Sequence, residues 1–283
     1  MKVFISRKII KKIPKVKFAV IGGSGTFSIG FPEDLKRGDI QVLQSGLTFR
    51  TPYGESPAFT LFEIKSSGVL TCKMHGWRRG DSRACASKQV FWILKEAGVK
   101  MILAEGGVGS INQLLNPRDI VIPNDFIDFS TRKDTSVVGE HLLIMRQPIC
   151  PQIHRALLDS SGKHHMGRIF ERGVYLVTEG YRFESWAEIS MMRQWGADIV
   201  GQSLAPEVYL ARDIGACYAG VYMVVNYAEG VVKDWDHDEL KDIFYQESKK
   251  IGHIIIDALN ELIDAKRVCG CMEFRKETLL REE

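Results

Sequence analysis

Short apolar runs broken by glycine and polar turns organise this chain. Residues 18–21 (FAVI) are closed by Gly22-Gly23-Ser24-Gly25, which predicts a buried strand ending in a glycine turn. Residues 100–104 (KMILA) and 119–123 (DIVIP) predict two more strands. Residues 198–200 and 220–225 predict another two, separated by a helix that Pro206 can start. Residues 86–96 (ASKQVFWILKE) read as a helix. The clearest pattern comes last. Leu240, Ile243, Phe244, Ile251, Ile254, Ile255, Leu259 and Leu262 recur at three- and four-residue steps, one apolar face of period 3.6. Strands alternating with helices predict an α/β domain, with glycine clusters at strand ends where such folds hold ligands.

Composition narrows the class of partner. A charged fraction of 26% and a net charge of +3, with no block of like charges, point away from nucleic acid and from a membrane surface. No apolar run approaches the roughly 18–20 residues that span a bilayer. The basic start, MKVFISRKIIKKIPKVK, lacks the apolar core of a secretory signal. Six widely spaced cysteines fit a reducing, cytoplasmic setting. Cys269-Gly-Cys271 is the only close pair. A lone C-x-C lacks the second ligand pair of a zinc site, so no metal and no cofactor is expected. Residues 1–16 read as an extension, 17–264 as one domain and 265–283 as a charged, frayed tail.

Five segments can carry chemistry. Gly22-Gly23-Ser24-Gly25 can bring amides and a hydroxyl to an anion, or can be an ordinary turn. Met74-His75-Gly76-Trp77-Arg78-Arg79 can face an anion or water. Glu105-Gly106-Gly107-Val108-Gly109-Ser110 implies tight packing or a close ligand. In Thr178-Glu179-Gly180-Tyr181-Arg182-Phe183-Glu184, the Phe can stack on a ring whose N–H the Glu accepts, or can be core. Gln202-Ser203-Leu204-Ala205-Pro206-Glu207 is followed by Val224-Val225-Asn226. An Asn just past a buried strand is either functional or turn chemistry.

In this order the segments AVIGGSG, RTPYGESPA, NPRDIVIPNDFID, TEGYRFES and WGADIVGQS resemble the trimeric purine nucleoside phosphorylase and methylthioadenosine phosphorylase family, from about Phe18 to Ile263. The resemblance implies a single α/β domain with a mixed, partly barrel-like sheet flanked by helices. It implies phosphate attack at C1′ of a purine nucleoside, with phosphate as co-substrate, in a homotrimer or dimer of trimers. Carried over by position, Ser24, His75 and Ser203 would bind phosphate. Phe183, Glu184 and Asn226 would hold the base, and Asn226 with His75 would carry the catalytic contacts. Gln202 and His237 would meet the ribose and its 5′ group, and His141 would reach a neighbour's site. Glu184 and Asn226 resemble the 6-oxopurine branch: a carboxylate accepts N1–H of such a base, which adenine lacks. The VVN-x-A-x-G segment further resembles methylthioinosine phosphorylases.

The chain departs from that pattern at the phosphate end. Met74 stands where an arginine is usual, and Glu105-Gly106-Gly107 offers no hydroxyl. Gln202 replaces a ribose-contacting Met, and Tyr181 a proline. Lys73, Arg78, Arg79, Arg83 and Lys88 are the cations near enough in sequence to compensate. The leading expectation is a 6-oxopurine nucleoside phosphorylase acting on inosine, guanosine or methylthioinosine. A phosphate-independent nucleosidase and a non-catalytic nucleoside-binding protein are the alternatives.

Overall fold

The computed structural model describes residues 8–9, 12–74 and 80–279. Twelve strands of these residues form one mixed sheet. Its centre is the strand Met101–Ser110. Along one edge this strand pairs in parallel with Cys217–Tyr227 over its whole length. Its other edge is divided. Met101 to Ala104 pair with Phe18–Gly22, whereas Gly109 and Ser110 pair with Ile199–Gly201 running the other way. Residues 105–108 therefore face a split in the sheet, the kind of place where α/β proteins hold ligands.

Five helices cover the sheet: α1 (Arg83–Ala97), α2 (Pro151–His164), α3 (Trp186–Gln194), α4 (Leu204–Asp213) and α5 (His237–Asp264). Ser82 caps α1 by accepting from the Cys85 N–H, and Gly98 closes it in the left-handed region that favours glycine. On α5, Ile243, Ile251, Ile254, Ile255, Leu259 and Leu262 are buried, as their spacing requires, and α5 packs against α2. Asp236 caps α5, accepting from the Asp238 and Glu239 N–H groups at 2.9 Å each.

Three expectations need correction. The glycines at 106, 107 and 109 are not a loop after a short strand but belong to the central strand itself. The long ladder with Cys217–Tyr227 overrides the local punctuation of glycine. The strand expected at 119–123 is only Ile120–Val121. The C-terminal tail is ordered as far as residue 279: Cys271–Phe274 form a 3-10 turn, and Arg275–Glu277 pair antiparallel with His141–Leu143. Buried Cys271 and the strand pairing hold down a segment whose charge suggested fraying. Helices α2 and α3 had no clear signal in the periodicity.

The first turn of α5 depends on its cap. Asp236→Ala is expected to destabilise the protein by about 1 kcal/mol in urea denaturation, whereas Asp236→Asn should be close to neutral.

Candidate active site

A cavity of about 350 Å³ opens at the split in the sheet. Its floor is the central strand and its far wall is α5. Gly23 and Ser24, Phe183 and Glu184, Gln202 and Ser203, and Asn226 all line it. Six segments far apart in sequence thus meet around one space.

Asn226 reaches it through a β-bulge. Val224 pairs with Val108 and Asn226 with Gly109, leaving Val225 as an extra residue. The bulge turns both Val225 and Asn226 toward the cavity, which regular alternation forbids. The Asn226 amide donates one N–H to the Tyr227 carbonyl at 2.7 Å, and an amide has a second to give. Glu184 accepts from the Thr178 hydroxyl at 2.5 Å. The Phe183 ring is half exposed and meets Trp235 edge-on, with centroids 5.0 Å apart. Gln202 donates through its side-chain amide to the Arg182 carbonyl at 3.3 Å, and its backbone carbonyl accepts from the Arg132 guanidinium at 3.2 Å.

The other end of the cavity gathers donors suited to an anion and already contains a carboxyl group. Glu105 is buried, and its Oε1 accepts from the Gly23 N–H, from the Thr26 N–H at 3.2 Å and from the Thr26 hydroxyl at 2.7 Å. A Cβ on Gly25 would lie 2.3 Å from Glu105 Oε2, so the loop closes on this carboxylate only because glycine stands there. Glu105 Oε2 is buried with no hydrogen-bond partner. Burial pushes the carboxyl above its usual range, against the amide and hydroxyl donors that favour its charged form. Ser24 Oγ accepts from the Gly107 N–H at 2.7 Å, on the open edge of the central strand. Its own proton is left to donate to a ligand. Ser203 Oγ lies 3.2 Å from the Tyr175 hydroxyl.

Of the cations expected to compensate for Met74, Arg83 alone among the described residues reaches the cavity. It donates to the Met74 carbonyl at 2.6 Å and sits 3.6 Å from Glu207. Lys73 instead donates to the Phe27 and Ile29 carbonyls, and Lys88 lies over the Tyr53 ring. His75, Arg78 and Arg79 lie outside the described residues.

Two expected site residues are not brought to the cavity. His237 is the first residue of α5 and lies beside Trp235, with ring centroids 6.4 Å apart. The α5 residues that line the cavity are Leu240 and Phe244, three and seven positions further along the same face. They had been readable only as core positions. His141 is half-buried in the strand that pairs with the C-terminal segment, away from the cavity of its own chain. The sequence could not show how Glu105 would be used, because its partners Gly23 and Thr26 come from another strand's end.

Residues 17–260 match the family model of the phosphorylase superfamily. This chain belongs to that family. It is 35% identical to the 6-oxopurine nucleoside phosphorylase of Pyrococcus furiosus, over 92% of this chain and 98% of the relative. It is 31% identical to the S-methyl-5′-thioadenosine phosphorylase of the same organism, with the same coverage. It is 35% identical to a probable S-methyl-5′-thioinosine phosphorylase of Methanopyrus kandleri, over 90% and 95% of the two chains. Among solved structures, a methylthioadenosine phosphorylase sourced from an antarctic soil metagenomic library shares the fold. Its TM-score is 0.79 at 22% identity, over 92% of this chain and 91% of that one. The chain is thus an enzyme of the purine nucleoside and methylthioadenosine phosphorylase family, a family that uses phosphate as co-substrate. No helix of the described residues is long and apolar enough to cross a membrane.

Glu207 supplies a stability test. It lines the cavity, is buried, and accepts from the Tyr218 hydroxyl at 2.9 Å. Burial raises its carboxyl to about 7, from an ordinary value of 4.5, despite Arg83. Below about pH 4.5 both folded and unfolded states hold the proton; between there and pH 7 only the folded state does. Stability therefore falls as pH rises through that window. Relative to Glu207→Gln, the wild type is expected to lose up to about 3 kcal/mol between pH 4.5 and 7 in urea denaturation. Parallel pH profiles would refute the assignment.

Proposed function

We propose that this protein is a 6-oxopurine nucleoside phosphorylase that cleaves the N-glycosidic bond with phosphate, preferring a methylthioinosine-type nucleoside over inosine or guanosine. The observation that carries the base assignment is the convergence of Phe183, Glu184 and Asn226 at one end of the cavity that Ser24 and Ser203 line at the other. In this reading Glu184 accepts N1–H of the base. The free Asn226 N–H meets O6 and N7, where charge collects as the C1′–N9 bond breaks, and Phe183 covers the ring. Ser24 and Ser203 donate to phosphate, with His75 as a third ligand. Gln202 lies along the ribose. Leu240 and Phe244 make the α5 wall apolar, which supports a methylthio rather than a hydroxyl group at the 5′ end. We assign His237 to the mouth above that wall.

Phosphate has to share its loop with Glu105. A dianion beside an ionised carboxylate in a buried site is strongly disfavoured, so phosphate binds to the enzyme whose Glu105 holds a proton. The protonated carboxyl removes the charge that would repel phosphate from the loop. The assembly is proposed to be a homotrimer or dimer of trimers in the cytoplasm. The exposed Phe129–Trp195 pair and the buried, unpartnered Nδ1 of His141 support a face covered by another copy. The same Glu105 favours a second reading, in which the ionised carboxylate excludes phosphate and activates water.

Turnover of methylthioinosine, inosine, guanosine and adenosine with and without phosphate tests the reading. A sugar 1-phosphate is expected only when phosphate is present. Methylthioinosine should be favoured over inosine by about tenfold, an effect of about 1.4 kcal/mol. Free sugar formed at full rate without phosphate would establish hydrolysis instead. Asn226→Asp is expected to shift preference toward 6-aminopurines, and an unchanged inosine-to-adenosine ratio would count against its role.

Glu105→Gln separates the two charge states. At the alkaline end of the pH profile, where the wild-type carboxyl is ionised, the variant is expected to lower the phosphate KM by about tenfold, with little change in acid, so that the pH dependence flattens. Identical phosphate profiles for variant and wild type would remove Glu105 from the phosphate step.

A further inference from the structure

Four cysteines from three distant segments come together on the side of the sheet away from the cavity. Cys150 precedes the first turn of α2, Cys217 opens the long strand, and Cys269 and Cys271 flank Gly270 in the C-terminal segment. All four Sγ atoms lie within 4.8 Å of one another, with Cys217 and Cys269 at 3.2 Å, and all four are free thiols. The second pair that the C-x-C motif lacks along the chain is thus supplied by the fold. A tetrahedral zinc with four Zn–S bonds of about 2.3 Å needs sulfurs about 3.8 Å apart, which the observed cluster brackets.

We propose that Cys150, Cys217, Cys269 and Cys271 form a structural tetrathiolate zinc site. Binding exchanges four thiol protons for one Zn²⁺, with no change of oxidation state. The cluster then carries two negative charges, and two arginines stand beside it. The guanidinium of Arg212 is buried, donates to the Ile144 and Gln147 carbonyls, and lies over the Phe274 ring. Arg267 is the second of these. Its Nε and Nη2 are buried and face the sulfurs of Cys217 and Cys269. Metal-bound thiolates satisfy those donors, whereas neutral disulfide sulfurs do so poorly.

The backbone is arranged to keep the ligands in place. The Cys150 N–H donates to the Tyr218 carbonyl and the Cys217 N–H to the Lys100 carbonyl. Gln152 on α2 accepts from the Val268 N–H and donates to the Lys266 carbonyl, which brings the C-x-C segment to α2. Zinc would staple this segment to the core. Because Arg275–Glu277 pair with His141–Leu143, the staple also fixes the strand that bears His141.

The test is metal analysis of the full chain purified with reductant, followed by replacement of zinc with cobalt(II). About one zinc per chain is expected, and the cobalt protein should show the thiolate-to-cobalt charge-transfer band and the intense visible bands of tetrahedral coordination. Cys269→Ser and Cys271→Ser, both in the C-terminal segment and checked for folding by circular dichroism, should each weaken cobalt binding by more than about tenfold. Arg267→Met, which leaves all four ligands, should weaken it by about tenfold. Metal-free reduced protein that gives no thiolate–cobalt band would overturn the proposal. So would denaturing mass spectrometry showing these four cysteines paired as two disulfides in protein purified from a reducing cytosol.

Discussion

The parallel ladder between Met101–Ser110 and Cys217–Tyr227 is the constraint on which the rest of this protein depends. It runs through the whole sheet, so residues at its two ends are held in fixed relation. Cys217 stands at one end, beside three other thiols. Asn226 stands at the other, lifted into the cavity by the single extra residue of the bulge. Between them Glu105, Gly106 and Gly107 face the split where the partner strand on the other edge changes. A strand that keeps one neighbour and exchanges the other necessarily leaves backbone groups open at the exchange. The Gly107 N–H finds Ser24 there, and the remaining space is the cavity.

That geometry explains the most unusual feature of the site. A glycine loop whose amides converge is an anion site whether or not an external anion arrives. Here the central strand presents Glu105 to it, so the protein's own carboxyl group fills the loop. The carboxylate gains donors but loses water, and the second loss dominates, which lifts its affinity for a proton. Glu207, a few residues beyond Ser203, is raised for the same reason. Two buried carboxyls with raised proton affinity, Glu105 and Glu207, line this cavity and set its electrostatics.

Much of this was legible in the sequence. The apolar stripe of α5, the strand at Phe18 and the helix after Ser82 follow from local periodicity and capping, and the structure has them where the pattern requires. The cavity residues Phe183, Glu184 and Asn226 were legible because their motifs resemble a family whose order of segments is distinctive. Which α5 side chains line the cavity was not legible, because one turn of helix decides it. Leu240 and Phe244 looked like core because an apolar cavity wall and a core face have the same period.

The sequence by itself therefore determined the α/β class, the family, the long C-terminal helix and the types of side chain at Phe183, Glu184 and Asn226, since each is encoded in short-range pattern or in motifs. The tertiary structure alone decided that the Glu105 strand runs through its glycines, that the carboxylate fills the first loop, that Arg83 is the described cation at Met74, and that four cysteines share one corner. Apart from the Arg83–Met74 contact, between residues nine apart, these are contacts between segments tens to more than a hundred residues apart. A sequence read locally carries no record of which strand ends will meet, and those meetings set the charge in the cavity and the thiol cluster behind it.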